Sequence, residues 1–365
     1  MNLSLHKLVD CPYCWKVARK RDLLQRCSPA CGSDWAWLKP GDVRKGECPH
    51  GRAPVRRRFC TSCKRPLTRE YIDNQGKNIA IIGAPQAGKS TYVGVLVHHM
   101  RSSVSPRFNG MALDFLGDAS QTLYEERYES RLFHERLTLA PTPRAVTDDV
   151  NPLIFALKFP QKRSVKSAVT VFYDTSGENV LTADAMDPLT RYLERAGGII
   201  LLVDPHTLTG KDTLTAGGRA TGMTDQIAVI RRLGELLREG RRKGGGKLRT
   251  PLAVAITKID EFRHTFDPES PVRRTSLHSG HFDESDARDL HEEMRGWLDR
   301  RCGPELDATL TANFSAYRYF ALSSLGAAPT SGQLASQGIH PYRVEDPVLW
   351  LLSRFGAIRT VARSS

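Results

Sequence analysis

Asn78-Ile79-Ala80-Ile81-Ile82-Gly83-Ala84-Pro85-Gln86-Ala87-Gly88-Lys89-Ser90-Thr91 is the stretch on which the rest of the chain depends. A short apolar run ends at Gly83, and Gly88-Lys89-Ser90 then opens a stretch of helical pattern. This is the full G-x-x-x-x-G-K-[ST] spacing in a strand–loop–helix setting. A loop that wraps a polyphosphate must bring backbone N–H groups to the anion, and glycine allows that close approach. The helix that follows aims its first N–H groups at the same charge. Residues 83–91 therefore read as a phosphate cradle, with Lys89 reaching the terminal phosphates and the Ser90 hydroxyl a ligand for Mg²⁺.

Working outward, the 365 residues suit about two domains, or one α/β domain with an appendage. A chain 40% hydrophobic and 25% charged can fill a core and remain soluble. The longest apolar run, residues 198–203, is far too short to span a bilayer, and the first residues lack a signal-peptide pattern, so a cytoplasmic protein is expected. The formal charge of +13 would suit an acidic partner, but the basic residues are dispersed as well as clustered, and a solvated surface is the favoured reading.

Seven of the eight cysteines precede residue 64. Such crowding without a signal peptide argues for metal rather than disulfides. Cys11-Pro12-Tyr13-Cys14 and Cys60-Thr61-Ser62-Cys63 are two C-x-x-C knuckles, with Cys27, Cys31, Cys48 and His50 between them. That is enough for two closed zinc sites of structural role, His50 being the least secure ligand. Pairing stays open. A sequential arrangement joins Cys11, Cys14, Cys27 and Cys31, then Cys48, His50, Cys60 and Cys63. An interleaved one joins the two knuckles and leaves the middle four for the second ion. Arg52, residues 56–58, Lys64 and Arg65 lie among Trp15, Trp35 and Trp37. A nucleic-acid module would show this mixture, but a mini-domain that docks on protein is preferred.

Beyond the cradle, apolar residues at Val93, Val95, Leu96, Val97 and Met100 predict a helix that ends before Pro106. Residues 115–137 read as an amphipathic helical insert, and residues 139–149 as a proline-containing loop in which Thr142 or Thr147 could close on Mg²⁺ and the terminal phosphate. Strands at 153–159 and 168–173 flank a polar turn. The second runs into Asp174-Thr175-Ser176-Gly177-Glu178, where a carboxylate can hold the magnesium shell and a glycine N–H can meet the phosphate. A buried strand spans 197–204, a Gly- and Thr-rich loop 209–221, and an amphipathic helix 225–241. The strand 252–256 ends in Thr257-Lys258-Ile259-Asp260. A carboxylate there accepts from the N1–H and exocyclic amine of guanine, a donor pair that adenine lacks, and the Lys258 stem can lie over the base. Residues 261–310 form an insert with a helix at 284–298. A last strand, 317–322, leads into Ser323-Ser324-Leu325, where a backbone N–H can meet the base carbonyl. Residues 330–337 read as floppy, and a closing helix starts at Pro347.

In this order, the motifs at 83–90, 174–177, 257–260 and 323–326 resemble those of translation-factor-class (Ras-like) P-loop GTPases, over roughly residues 78–356. With the zinc-ribbon start and the ending at Pro347, the chain is also similar to the bacterial double-GTPase group. The resemblance implies an α/β fold, a three-layer P-loop NTPase sheet, preceded by a small zinc-binding domain. The expected divisions are a zinc-ribbon-like domain at 1–75, a GTPase domain at 76–358 and a tail at 359–365. It implies GTP or GDP with Mg²⁺, held by Lys89, Ser90, Asp174 and Gly177 with Thr142 as the favoured switch threonine, and guanine contacts from Thr257, Lys258, Asp260 and Ser324. It also implies protein partners in a bacterial conflict or defence system. Two departures bear on this. Thr257 stands where asparagine is usual, and Glu178 replaces the glutamine that positions water, so unaided hydrolysis should be slow. A partner, or Arg144 in cis, would supply the missing charge. An ATPase, a zinc-ribbon adaptor with little turnover, and a nucleic-acid-binding NTPase are the alternatives.

Overall fold

The structure is a computed structural model. It describes residues 8–27, 37–43, 45–50, 54–75, 77–84, 86–140, 152–161, 164–173, 192–208, 213–214, 220–221, 223–239 and 246–362. Short strands open the chain: β1 (Leu8–Asp10), β2 (Val17–Arg19), β3 (Leu24–Arg26), β4 (Trp37–Leu38), β5 (Arg58–Phe59) and β6 (Pro66–Leu67). The first two form a hairpin and the others a small sheet in the order β4-β3-β5-β6. Helix α1 (Arg69–Asp73), capped by the Thr68 hydroxyl, leads to β7 (Ile79–Gly83).

Then come α2 (Lys89–His99), the short α3 (Ser105–Arg107), β8 (Ala112–Phe115), α4 (Asp118–Tyr124), β9 (Leu153–Gln161), β10 (Ser164–Phe172) and β11 (Gly198–Val203). They are followed by the two-residue strands β12 (Thr213–Leu214) and β13 (Ala220–Thr221), α5 (Met223–Glu239), β14 (Leu252–Ile256) and β15 (Phe282–Asp283). The chain closes with α6 (Glu284–Cys302), α7 (Glu305–Asn313), β16 (Tyr317–Ala321), α8 (Asp346–Arg354) and β17 (Thr360–Val361).

Among the described residues, seven strands make the central sheet, in the order β16-β14-β11-β7-β10-β9-β8. From β16 to β10 the neighbours run parallel, and β9 and β8 add an antiparallel edge. The parallel core strands β7, β11 and β14 are buried along their whole length. That matches their near-continuous apolar sequences, as expected where helices cover a parallel sheet. Among the covering helices, α8 packs on β11 and β14, and α6 on β16.

Several expectations change. The helix after the cradle does not stop before Pro106: a π-helical stretch, Met100–Val104, carries it into α3 (Ser105–Arg107), and the helix ends one residue after the proline. Residues 115–137 resolve into the end of β8, then α4, then a π-helical continuation Glu125–His134. Strand β8 was not anticipated, because its four residues are only half buried and carry Asp114. The loop 209–221 contains the β12–β13 pair, and α7 lies in a region read as insert. Residues 330–337 are not loose: Thr138 N donates to Gly332 O at 2.9 Å and Leu334 N to Arg136 O at 3.0 Å.

The first C-x-x-C knuckle is packed against the central sheet. Trp15 lies 5.4 Å from the Tyr173 ring and 5.5 Å from the Tyr192 ring, and the buried side chains there are continuous with the main core. Cys27, Leu38, Cys48 and Val55 form a separate small cluster.

Candidate nucleotide site and cysteine clusters

Strand β7 delivers the cradle at the carboxyl edge of the sheet. A Cβ at Gly83 would stand 2.6 Å from Leu202 O on β11, so no larger residue fits without moving backbone. Ala87 N turns back to Ala84 O at 3.2 Å, and Gly88 caps α2 with φ of +82°. The Lys89 ammonium folds over the loop, donating to Gly83 O at 3.2 Å and Ala84 O at 3.1 Å. Ser90 and Thr91 follow in the first turn of α2, where helix N–H groups point outward. Pro85 lies outside the described residues.

Because β7, β11, β14 and β16 are parallel, the chain segments at their carboxyl ends gather along one edge of the sheet. Open α/β sheets bind ligands there. A cavity of about 290 Å³ fills this edge, lined by Gln86–Gly88, Thr257, Lys258, Asp260 and Ser323–Leu325. It approaches the lower end of small-molecule sites, roughly 300 Å³. The loop after β7 and the segments after β14 and β16, far apart in sequence, thus line one cavity.

The local bonding separates bracing from contact. Thr257 is buried, and both its N–H and hydroxyl donate to Val203 O, at 2.9 and 3.2 Å, tying β14 to β11. Lys258 adopts the left-handed conformation at φ +53° and its ammonium lies 2.5 Å from Asp204 Oδ2. The Ser323 hydroxyl accepts from Gly326 N at 2.9 Å, so it shapes the turn that presents Ser324 and Leu325. Asp260 lines the cavity, and its carboxylate accepts no hydrogen bond from another described residue. A carboxylate among the lining residues of a cavity beside a G-x-x-x-x-G-K-[ST] loop is chemically compatible with a guanine nucleotide.

Thr138, Glu261 and residues 327–329 also line the cavity, and the sequence reading missed them. Nothing in their local pattern marks them, because strand-end loops meet only in the tertiary fold. Asp204 was visible as the residue ending an apolar strand, but its bond to Lys258 was not. Thr142, Arg144, Thr147, Asp174, Gly177 and Glu178 lie outside the described residues.

In the N-terminal segment, ligand atoms of Cys11, Cys14, Cys60 and Cys63 all lie within 4.8 Å of one another, as do those of Cys27, Cys48 and His50. This is the interleaved arrangement. Cys31 lies outside the described residues. The Cys11–Cys63 and Cys14–Cys60 sulfurs are each 3.6 Å apart. A tetrahedral ion with Zn–S bonds of about 2.3 Å sets its sulfurs roughly 3.8 Å apart, so the four thiols fit zinc. Without an ion they share protons. Cys11 holds Cys60 down to about 4 through a hydrogen bond, while Cys11 itself is pushed up and burial raises Cys63 to about 11. Cys27 Sγ lies 3.2 Å from His50 Nδ1.

The chain is similar to a protein of Mycolicibacterium smegmatis described as "Putative ESX-1 scaffolding and assembly protein SaeC", with 26% identity over 82% of this chain and 80% of that one. Among solved structures, the signal recognition particle receptor SRb-GTP/SRX complex of Chaetomium thermophilum matches at 11% identity and a TM-score of 0.32, covering 70% of this chain and 94% of that one. A GTP-binding protein of Sulfolobus solfataricus in complex with GDP matches at 13% identity and a TM-score of 0.30, covering 77% and 53%. Residues 77–303 match the Double-GTPase 2 family model, and with well over half its length inside that match the chain belongs to this family.

Proposed function

We propose that this chain is a GTP-binding and GTP-hydrolysing regulatory switch that acts on protein partners. The observation that carries the reading is the shared cavity, where Gly88 and Asp260 line one space. Family membership supports guanine nucleotide and Mg²⁺ as its ligands. In this reading Lys89 and the cradle N–H groups hold the phosphates, while Asp260, Ser324 and Leu325 receive the guanine. Ser90, Thr142 and Asp174 would hold Mg²⁺, which when bound would offset phosphate charge. By their place in the motif, Gly177 is assigned to the terminal phosphate and Glu178 to the attacking water. A carboxylate is a poor substitute for the glutamine that orients this water, so turnover is slow until a partner adds positive charge.

In this reading the switch senses the terminal phosphate through Thr142 and the Asp174–Gly177 motif. The zinc segment, residues 1–75, is a structural and docking module on the nucleotide domain, residues 76–358. Zinc is its proposed metal. Similarity to SaeC supports a partner in the assembly of a protein machine; the conflict-system setting rests on the resemblance of motifs alone. No helix among the described residues is long and apolar enough to cross a membrane, and a cytoplasmic site of action is proposed.

Competition of GTP, GDP, ATP and XTP for the purified protein, followed by single-turnover hydrolysis with Mg²⁺, tests the reading. Preference for GTP and GDP with slow turnover is expected. Preference for ATP would overturn it, and guanine binding with no turnover under any condition would leave an adaptor.

A further inference from the structure

Between the base-reading turn and the closing helix α8, the chain does not return directly to the core. It crosses to the segment that enters residues 141–150 and bonds to it. Leu137 and Gln333 are antiparallel partners, flanked by Thr138 N to Gly332 O at 2.9 Å and Leu334 N to Arg136 O at 3.0 Å. The Thr138 hydroxyl adds a bond to Gly332 O at 3.2 Å, and the Arg136 guanidinium donates to Ser336 O at 3.3 Å. Thr330 and Gln333 close the tip on themselves through paired backbone bonds of 3.0 and 2.9 Å. The other end is pinned to the sheet edge, where Ser323 and Tyr342 exchange backbone bonds of 3.0 and 2.8 Å.

This crossing borders the cavity. Thr138 lines it from one segment and Ala327, Ala328 and Pro329 from the other. None of the last three carries a polar side chain, so their side chains cannot choose a base by hydrogen bonding. They can only wall in whatever the cavity holds.

We propose that residues 326–338 are a retaining strap for the bound nucleoside, and that the Leu137–Gln333 bridge must open for nucleotide to enter or leave. Thr138 and residues 327–329 are positioning residues in this scheme, and base selection stays with Asp260 and the Ser324–Leu325 backbone. The strap also joins the base-reading turn to residues 136–138. This deepens the guanine-nucleotide reading and rests on it. Affinity differences within one site fall mostly on the dissociation rate, and that is where the strap acts.

The test uses the full chain with Leu137→Cys and Gln333→Cys together. Bonds on both sides make this a non-hydrogen-bonded antiparallel pair, with Cα atoms about 4.5 Å apart, inside the disulfide range of roughly 4.4–6.8 Å. The protein is loaded with a fluorescent GDP analogue and chased with excess GDP, oxidised and then reduced, beside wild type taken through the same cycle. Release at least about ten-fold slower when oxidised, restored by reductant, is expected. Equal rates in both states would overturn the strap. Gly332→Val is the second variant. Its φ of +80° is strained for a β-branched residue, so it should loosen the bridge and speed release several-fold with unchanged preference for guanine. Unaltered release in that variant also counts against the proposal. Failure of wild type to bind the analogue would instead overturn the nucleotide reading itself.

Discussion

The Lys258 ammonium lies 2.5 Å from Asp204 Oδ2, joining the ends of β14 and β11 at the rim of the cavity. Asp204 is 5% exposed and its second oxygen accepts from His206 N at 3.0 Å, so the carboxylate is fixed before it meets the lysine. The pair therefore holds the Lys258 stem in the left-handed turn that carries Asp260 to the cavity. Asp204→Asn preserves the bond to His206 and removes the charge. A charge-assisted hydrogen bond contributes about 1.5–3 kcal/mol, and solvent reaching Lys258 reduces that toward the lower figure. Guanine-nucleotide affinity should fall roughly ten-fold with preference over ATP retained. Fluorescence titration with GDP and ATP checks it.

Asp260→Asn should exchange the base that is accepted. An amide offers one acceptor and one donor where the carboxylate offered two acceptors, which mismatches guanine and matches the extra carbonyl of xanthine. A site built to pair a polar group rejects the wrong partner strongly, by about 10²-fold or more. Affinity for GDP should drop by that factor and affinity for XDP rise. An unchanged ratio of GDP to XDP affinity would remove Asp260 from the base site.

Gly83→Ala probes the close approach of β7 to β11. The added methyl would meet Leu202 O at 2.6 Å, and backbone on both sides resists movement. Overpacking of this kind costs about 1–3 kcal/mol. A lower denaturation midpoint is expected, together with weaker nucleotide binding, because the displaced strand carries the cradle. Equilibrium urea denaturation without nucleotide measures the first effect separately.

The cysteine geometry predicts which substitutions act alike. Cys11→Ser and Cys60→Ser should each remove the same ion, and Cys11→Ser with Cys60→Ser should remove no more than either alone. Cys48→Ser should remove a different one. A sequential arrangement would assign Cys11 and Cys60 to different ions and give additive losses. Elemental analysis of the purified variants decides between them. Because Trp15 follows Cys14 and packs on Tyr173 and Tyr192, loss of the knuckle ion should also lower the melting temperature by several degrees.

Acid should unfold the protein partly through Glu345. Burial alone would raise this carboxyl, but His99 and Arg107 together lower it to about 2. Arg107 Nη2 lies 2.5 Å from one oxygen and His99 Nε2 3.3 Å from the other. A folded value below the unfolded one gives stability that is full above about 4.5 and is lost as pH falls toward 2. The contribution is on the order of a few kcal/mol. Glu345→Gln should be less stable near neutrality and show a flatter loss of stability across that acid window. Thermal denaturation as a function of pH measures the slope.

Much of the sheet was legible because its strands are defined locally. Ile79–Gly83, Gly198–Val203 and Leu252–Ile256 are apolar along their length, and only burial on both faces rewards such a run. Strand β8 escaped because four half-exposed residues become a strand only when β9 supplies their hydrogen bonds. The phosphate cradle was readable for a related reason: its function depends on backbone shape within nine residues, and Gly83, Gly88 and Lys89 encode that shape in place.

What the sequence determined by itself, then, is every feature whose physics is local: the cradle, the apolar strands, the paired thiols of each knuckle. The tertiary structure alone decided the interleaving of the two knuckles, the attachment of Lys258 to Asp204, and the crossing of Gly332 to Thr138. Each of these joins atoms far apart along the chain, and a hydrogen bond or a metal cluster depends on separation in space. Parallel strands bring their ends to one edge, and only there do residues from four separate loops meet.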